Sequence, residues 1–142
     1  MKALLSVLFV AALSVAADDD AVKKEKDALQ GKWTILSVER DGKPVETWKD
    51  GVRVMEGDTY TMTPKQGDSF KGKFALEPSK TPKGIDFTPS GGQNKDKTLR
   101  GIYEIDGDML KICFAEPDKE RPNEFSTKAG SGWTLALHKK QK

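Results

Sequence analysis

The sequence contains few residues of the kinds that enzymes use as nucleophiles, bases and metal ligands. It has one cysteine, Cys113, and one histidine, His138. A cysteine–histidine pair would need a third group to orient the imidazole, and two such residues cannot assemble a zinc site of the usual kind. Asp106 and Asp108 flank a glycine, but the other ligand positions of a calcium loop are missing. The sequence therefore predicts no enzyme, no metal and no cofactor.

Residues 91–98, GGQNKDKT, come close to a phosphate-binding loop. Gly91, Lys97 and Thr98 have the spacing of the Gly-x-x-x-x-Gly-Lys-[Ser/Thr] pattern. Asp96 occupies the position of the second glycine, where its carboxylate would face the phosphate. A strand is predicted from Leu99 onward, so no helix N-terminus is available to the anion. We interpret this segment as a surface loop.

The charge balance and the single cysteine exclude further classes of function. Lys and Arg number 24 against 22 Asp and Glu, a formal net charge of +2, whereas nucleic-acid binding requires a strong basic patch. One cysteine also excludes an internal disulfide, so the domain must be held together by its core.

The first residues have the three parts of a secretory signal peptide. Met1 and Lys2 form a basic start, residues 3–15 are apolar, and Val15-Ala16-Ala17 supplies small residues for cleavage. The apolar run is shorter than the ~20 residues that span a bilayer. We therefore predict a signal peptide over residues 1–17 and one domain over residues 18–142. This mature domain is expected to be secreted or periplasmic, with no membrane span.

The rest of the chain has the period of two that is typical of β-strands. Residues 99–114, LRGIYEIDGDMLKICF, alternate apolar and polar side chains on both sides of Asp106-Gly107, which is a strong hairpin signal. The same alternation predicts further strands at residues 32–39, 52–56, 59–63, 70–76, 84–88 and 133–139. In the last of these we expect Trp133, Leu135 and Leu137 to face inward and His138 to face outward.

About eight strands in a meander, preceded by a short helix at residues 21–30, predict an all-β fold. No helix long enough to cover a sheet is predicted. Closure into a single antiparallel up-and-down β-barrel would remove the exposed edges. A β-sandwich with a similar number of strands is the alternative.

Such a barrel would enclose the aromatic and apolar residues that occupy alternate positions: Tyr60, Met62, Phe70, Phe74, Phe87, Tyr103 and Phe114. They either line a pocket for a small apolar ligand or fill the core. If there is a pocket, we expect Trp33 near the end closed by the helix and Tyr103 on the wall, because both rings combine apolar surface with one polar atom. The candidate ligand-binding residues are Trp33, Tyr60, Phe74, Tyr103 and, in the long loop before the last strand, Arg121.

Two resemblances extend this interpretation. Gly31-Lys32-Trp33 resembles the Gly-x-Trp signature of lipocalins, secreted barrels that carry small apolar molecules. Lipocalins pair that Trp with an Arg in the last strand, and residues 133–139 contain none. The segments LQGKWTILSVERDGKPV, GIDFTP, GIYEIDGDMLKICFAEP and ERPNEFSTKAGSG resemble an uncharacterised lipocalin-like domain family that is abundant in planctomycete bacteria. That resemblance implies an exported barrel and supplies no catalytic residue.

Together these observations predict an exported, non-enzymatic, lipocalin-like domain that binds a small apolar ligand. The alternative function is a structural or protein-interaction domain of the cell envelope with a filled core. The sequence does not indicate an oligomeric state.

Overall fold

A computed structural model describes residues 19–142, so the predicted signal peptide lies outside the described residues. An α-helix, α1, covers residues 19–29. Nine strands follow: β1 Gly31–Arg40, β2 Lys43–Pro44, β3 Val52–Glu56, β4 Thr59–Thr63, β5 Phe70–Glu77, β6 Gly84–Pro89, β7 Leu99–Asp106, β8 Met109–Phe114 and β9 Thr134–Lys140.

Eight of these strands form a closed antiparallel β-barrel. From β3 to β9 each strand pairs with the next in the chain, and β1 pairs with both β3 and β9. The two-residue strand β2 only extends the edge of β1. The predicted fold class, a single up-and-down, lipocalin-like barrel with a short N-terminal helix, is confirmed.

Tight turns with positive φ angles set the register of the hairpins. Asp41 and Gly42, between β1 and β2, have φ angles of 51° and 78°, as a type I′ turn requires. Gly57 and Gly107 begin the two-residue loops β3–β4 and β7–β8 with φ angles of 60° and 62°. Positive φ is readily available only to glycine and a few polar residues. The turns therefore explain why the strand boundaries were predicted to within one residue.

The antiparallel meander gives the barrel two different ends. One end, called the helix end here, carries α1 and the connections at residues 57–58, 78–83 and 107–108. The opposite end, called the mouth, carries the longer connections at residues 41–51, 64–69, 90–98 and 115–133.

Helix α1 closes its end of the barrel through contacts with two interior aromatic residues. Trp33 is 1% exposed, and its indole N–H donates to the Leu29 carbonyl oxygen at 2.9 Å. The Tyr103 hydroxyl donates to Glu25 Oε1 at 2.8 Å. Lys140 Nζ lies 4.9 Å from the centroid of the Trp33 ring. The cation that packs on Trp33 is thus a lysine at the end of the last strand.

The predicted facing of the last strand is wrong. Ala136 and His138 are the buried, inward residues of β9. Leu137 pairs with Lys111, and Leu135 pairs with Cys113; directly paired residues share a face of the sheet, which here is the outer one. On this outer face, residues of the 115–133 loop contact β8: Cys113 Sγ donates to the Ser126 carbonyl oxygen at 3.5 Å, and Lys111 Nζ lies 5.1 Å from the Phe125 ring. Because a loop lies against this outer wall, large apolar residues there are half-buried.

Candidate functional site

The mouth of the barrel contains a cavity of about 670 Å³. Its apolar wall consists mainly of Phe70, Leu99 and Phe114, and residues 89–94 complete it. The segment that resembles a phosphate loop is therefore part of the rim. It leads directly into strand β7 and not into a helix, so the anion-binding arrangement of a phosphate loop is not formed.

Two buried aromatic rings, Tyr60 and Phe87, connect the cavity wall with the barrel interior. The centroid of the Tyr60 ring lies 6.4 Å from that of Phe70 and 5.1 Å from that of Phe87. The Phe87 ring is 6.0 Å from Phe114. Tyr60 and Phe87 are each 3% exposed, and we call this pair the floor rings.

A buried arginine packs against both floor rings. Arg53 on β3 is 2% exposed, and its guanidinium carbon lies 5.3 Å from the Phe87 centroid and 5.8 Å from the Tyr60 centroid. Its Nε donates to His138 Nε2 at 3.0 Å. Within residues 19–142, no carboxylate forms an ion pair with Arg53. The barrel therefore encloses a cation without a counter-charge.

The hydrogen bonds of His138 fix its protonation. Arginine can only donate, so His138 Nε2 must carry a lone pair. The ring proton is then on Nδ1, which lies 3.1 Å from the Leu110 carbonyl oxygen and donates to it. Burial and the neighbouring Arg53 lower the pKa of His138 to about 3. His138 is thus a neutral acceptor that orients the arginine.

Burial of the Arg53 cation carries a desolvation penalty. Burial lowers the pKa of Arg53 to about 10, so the side chain stays protonated near neutral pH. Each ring stacked on a cation contributes about 0.5–2 kcal/mol, whereas the effective desolvation penalty of a buried ion is several kcal/mol. The two floor rings and the hydrogen bond to His138 are the interactions that oppose this penalty.

Sequence reasoning missed Arg53, although the hairpin register contains the signal for it. Tyr60 and Met62 were predicted to face inward, and they pair with Met55 and Arg53 across the β3–β4 turn. Paired residues share a face, so Arg53 had to be inside as well.

The five candidate ligand-binding residues lie in three different places. Trp33 and Tyr103 are buried at the helix end and hydrogen-bonded to α1. Tyr60 and Phe74 are buried in the barrel core, with Tyr60 next to the mouth cavity. Arg121 lies in the 115–133 loop, where its Nη1 donates to Asp86 Oδ1 and to the Gly101 carbonyl oxygen, each at 2.7 Å. None of the five is among the residues that line the mouth cavity.

The residues considered for catalysis and metal binding are dispersed. Cys113 faces the 115–133 loop outside the barrel, and His138 faces Arg53 inside it, so the barrel wall separates them. Burial raises the pKa of the Cys113 thiol, which disfavours the thiolate. In the described part of the chain, no three His, Cys, Asp or Glu side chains are grouped so that they could hold a metal ion.

The described residues contain no helix with the length and apolar character needed to cross a membrane. Comparisons of the chain with protein-family models, with curated proteins and with solved structures found no significant match. Function must therefore be inferred from the barrel, its mouth cavity and the arginine beneath it.

Proposed function

We propose that the protein is an exported, non-enzymatic barrel that binds a small apolar ligand in the mouth cavity. The observation that carries the proposal is the cavity itself, about 670 Å³ with Phe70, Leu99 and Phe114 in its wall. Pockets for small molecules have volumes of about 300–1,000 Å³ and are lined mainly by apolar and aromatic side chains. Phe70 is 40% exposed, and a ligand in the cavity would cover it.

The mouth, and not the helix end, is the proposed ligand-binding part of the barrel. At the helix end, Leu29 and Trp33 are at most 1% exposed, so their side chains fill that space. Nearer the mouth, the ligand would meet the floor rings Tyr60 and Phe87.

A structural or protein-interaction domain is the second candidate function. It is favoured by the exposure of Leu36 and Phe70, the two large hydrophobic residues that are exposed within residues 19–142. Leu36 lies on β1, at the irregularity in the β1–β9 pairing, and it does not line the mouth cavity. The two residues therefore allow the two functions to be distinguished.

We expect wild-type protein to bind the neutral apolar fluorophore Nile red, and Phe70→Ser to weaken that binding about tenfold. Loss of the Phe70 ring removes one side of the apolar wall, and a fully buried aromatic contact is worth about 1.5–3 kcal/mol. Fluorescence titration at equal protein concentration measures the dissociation constant.

Leu36→Ser is the matched control, because Leu36 is similarly exposed at 37% but lies outside the cavity. Its dissociation constant for Nile red should equal that of the wild type. Equal losses in the two variants would mean that the dye binds exposed apolar surface, and the interaction domain would then be the better explanation. A wild-type protein that binds no dye would end the ligand-binding proposal.

The export part of the proposal predicts that the mature chain begins near Asp18. It is supported by the basic start, the apolar run and the Val15-Ala16-Ala17 site. N-terminal sequencing of the protein from the native cell envelope or medium tests it. An intact Met1 on protein recovered from there would contradict cleavage.

A further inference from the structure

Most of the hydrogen-bonding capacity of Arg53 is unused by the protein. A guanidinium has five N–H donors, and within residues 19–142 the only side-chain hydrogen bond of Arg53 is the one from Nε to His138. In the same residues, no side-chain nitrogen or oxygen is both shut off from solvent and unpaired. The two Nη groups, which have no partner, therefore face a space that a water-sized molecule can reach.

The neighbouring Tyr60 adds a second donor without an acceptor. Its hydroxyl forms no side-chain hydrogen bond with any described residue, although the residue is 3% exposed. The Tyr60 ring lies next to both Arg53 and Phe70, and Phe70 is part of the cavity wall. The unpaired donors of Arg53 and Tyr60 are thus found at the floor rings, beneath the mouth cavity.

The charge of the cavity wall has the sign that suits an anion. Among the lining residues there is one cation, Lys71, and no Asp or Glu. No carboxylate is paired with Arg53 either. Burying a cation in apolar surroundings is unfavourable unless a counter-charge joins it, and the described protein does not supply one.

We propose that the ligand of the mouth cavity is amphipathic, with an apolar body held by Phe70, Leu99 and Phe114 and a carboxylate that binds the Nη groups of Arg53. This inference rests on the proposed function and specifies its ligand class. His138 occupies Nε, so the carboxylate accepts from the two Nη groups end-on, and Tyr60 is placed to donate a further hydrogen bond. The two Nη groups can each donate to one oxygen of a planar carboxylate, which gives two parallel hydrogen bonds. To reach the Nη groups of Arg53 from the mouth cavity, the head group passes the floor rings Tyr60 and Phe87.

The test compares two ligands that differ only in the head group, dodecanoate and dodecanol, as competitors for bound Nile red. Wild-type protein should bind dodecanoate at least about tenfold more tightly than dodecanol, because hydrogen bonds between charged groups are stronger than those between neutral ones. Arg53→Gln should abolish this preference and still bind dodecanol. The control Arg40→Gln removes an exposed arginine, paired with Glu116 on the surface, and should keep the preference.

A measurement on wild-type protein makes the test independent of the folding of any variant. The carboxyl carbon of ¹³C-labelled dodecanoate, followed by NMR during acidification, should titrate at a lower pH when bound than when free, because a nearby cation favours the ionised form. A bound carboxyl that titrates at the same or a higher pH would overturn the assignment.

The outcomes separate the two proposals. If neither compound displaces Nile red, and the dye itself does not bind, the proposed function fails. If both compounds bind equally well to the wild type, the cavity is a binding site and the carboxylate inference is wrong. Dodecyl phosphate in place of dodecanoate tests the head group, and tighter binding of the phosphate would overturn the choice of a carboxylate.

Discussion

Acidification from about pH 6.5 to pH 5 is expected to lower the free energy of unfolding, with a slope that approaches roughly 1.4 kcal/mol per pH unit at the acidic end of this range. His138 is the only histidine of the chain, and its pKa falls from 6.5 to about 3 in the barrel because of burial and Arg53. A pKa lowered by folding means that the unfolded chain takes up the proton first. The stabilisation is therefore complete above pH 6.5 and is lost as the pH falls.

Burial is the larger cause of the low pKa of His138, and the contact with Arg53 adds to it. Protonation of His138 Nε2 would remove the acceptor for Arg53 Nε, 3.0 Å away, and would place two cations against each other inside the barrel. The pKa of Glu25 is also lowered: burial raises it, but the hydrogen bonds from Lys83 and Tyr103 outweigh that effect. Its contribution is lost only near and below pH 4.5, so the higher pH range isolates His138.

Urea unfolding followed by circular dichroism at several pH values measures this slope. His138→Gln keeps a group that can accept from Arg53 but does not titrate, so its stability should be nearly constant over the same range. Lys139→Gln, at the exposed neighbouring position, should keep the wild-type slope. A wild-type stability that is flat between pH 6.5 and 5 would contradict the burial of a neutral histidine.

Replacing Trp33 by alanine is expected to lower the free energy of unfolding by about 3–5 kcal/mol, as for large aromatic residues in a core. Trp33 is 1% exposed, so the substitution leaves a cavity at the helix end. It also removes the donor to the Leu29 carbonyl oxygen and the ring under Lys140. Helix α1 would then lose its main anchor to the barrel.

Trp48→Ala is the matched control, since it deletes the same side chain from the other end of the barrel. Trp48 is half-buried in a 3₁₀ turn at the mouth and packs against Phe70 in a tilted arrangement, with 5.5 Å between ring centroids. We expect a loss of about 1 kcal/mol, typical of a partly exposed site. Similar losses for both variants, measured by urea unfolding, would mean that Trp33 does not anchor the closed end.

The strands were predictable because two local signals agree. Alternation marks a half-buried strand, and Asp-Gly or Gly-Asp pairs mark the tight turns with positive φ angles. At β3 and β4 the turn at Gly57 fixes both strands residue for residue. Hairpin signals of this kind are contained in a few neighbouring residues, so tertiary contacts are not needed to recognise them.

Which face of a strand points into the barrel was harder to predict than where the strand begins and ends. In β9, the larger residues Leu135 and Leu137 were expected inside, whereas Ala136 and His138 are inside. Alternation gives two faces but does not say which one is inner when a loop such as residues 115–133 lies against the outer one. Pairing with β8 decides the facing, and that information comes from the other strand.

The candidate site was only partly predictable. Tyr60 was correctly expected inside the barrel, but Arg53 was overlooked because an arginine in a strand is normally an exposed residue. The mouth cavity depends on how residues 89–94 fold against Phe70 and Phe114. Irregular loops lack a periodic pattern, so the sequence does not reveal their shape.

The pairing of β1 with β9 has a consequence for the order in which the barrel forms. All other neighbours in the barrel are consecutive in the chain or separated by two short elements, but this pairing joins residues about one hundred positions apart. Local hairpins form quickly, and contacts between distant segments form slowly because a long loop must close first. As the chain emerges N-terminus first, hairpins from β3 to β8 can form before β9 is available. The barrel itself cannot close until residues 134–140 have been made, and until then it remains an open, curved sheet with two free edges.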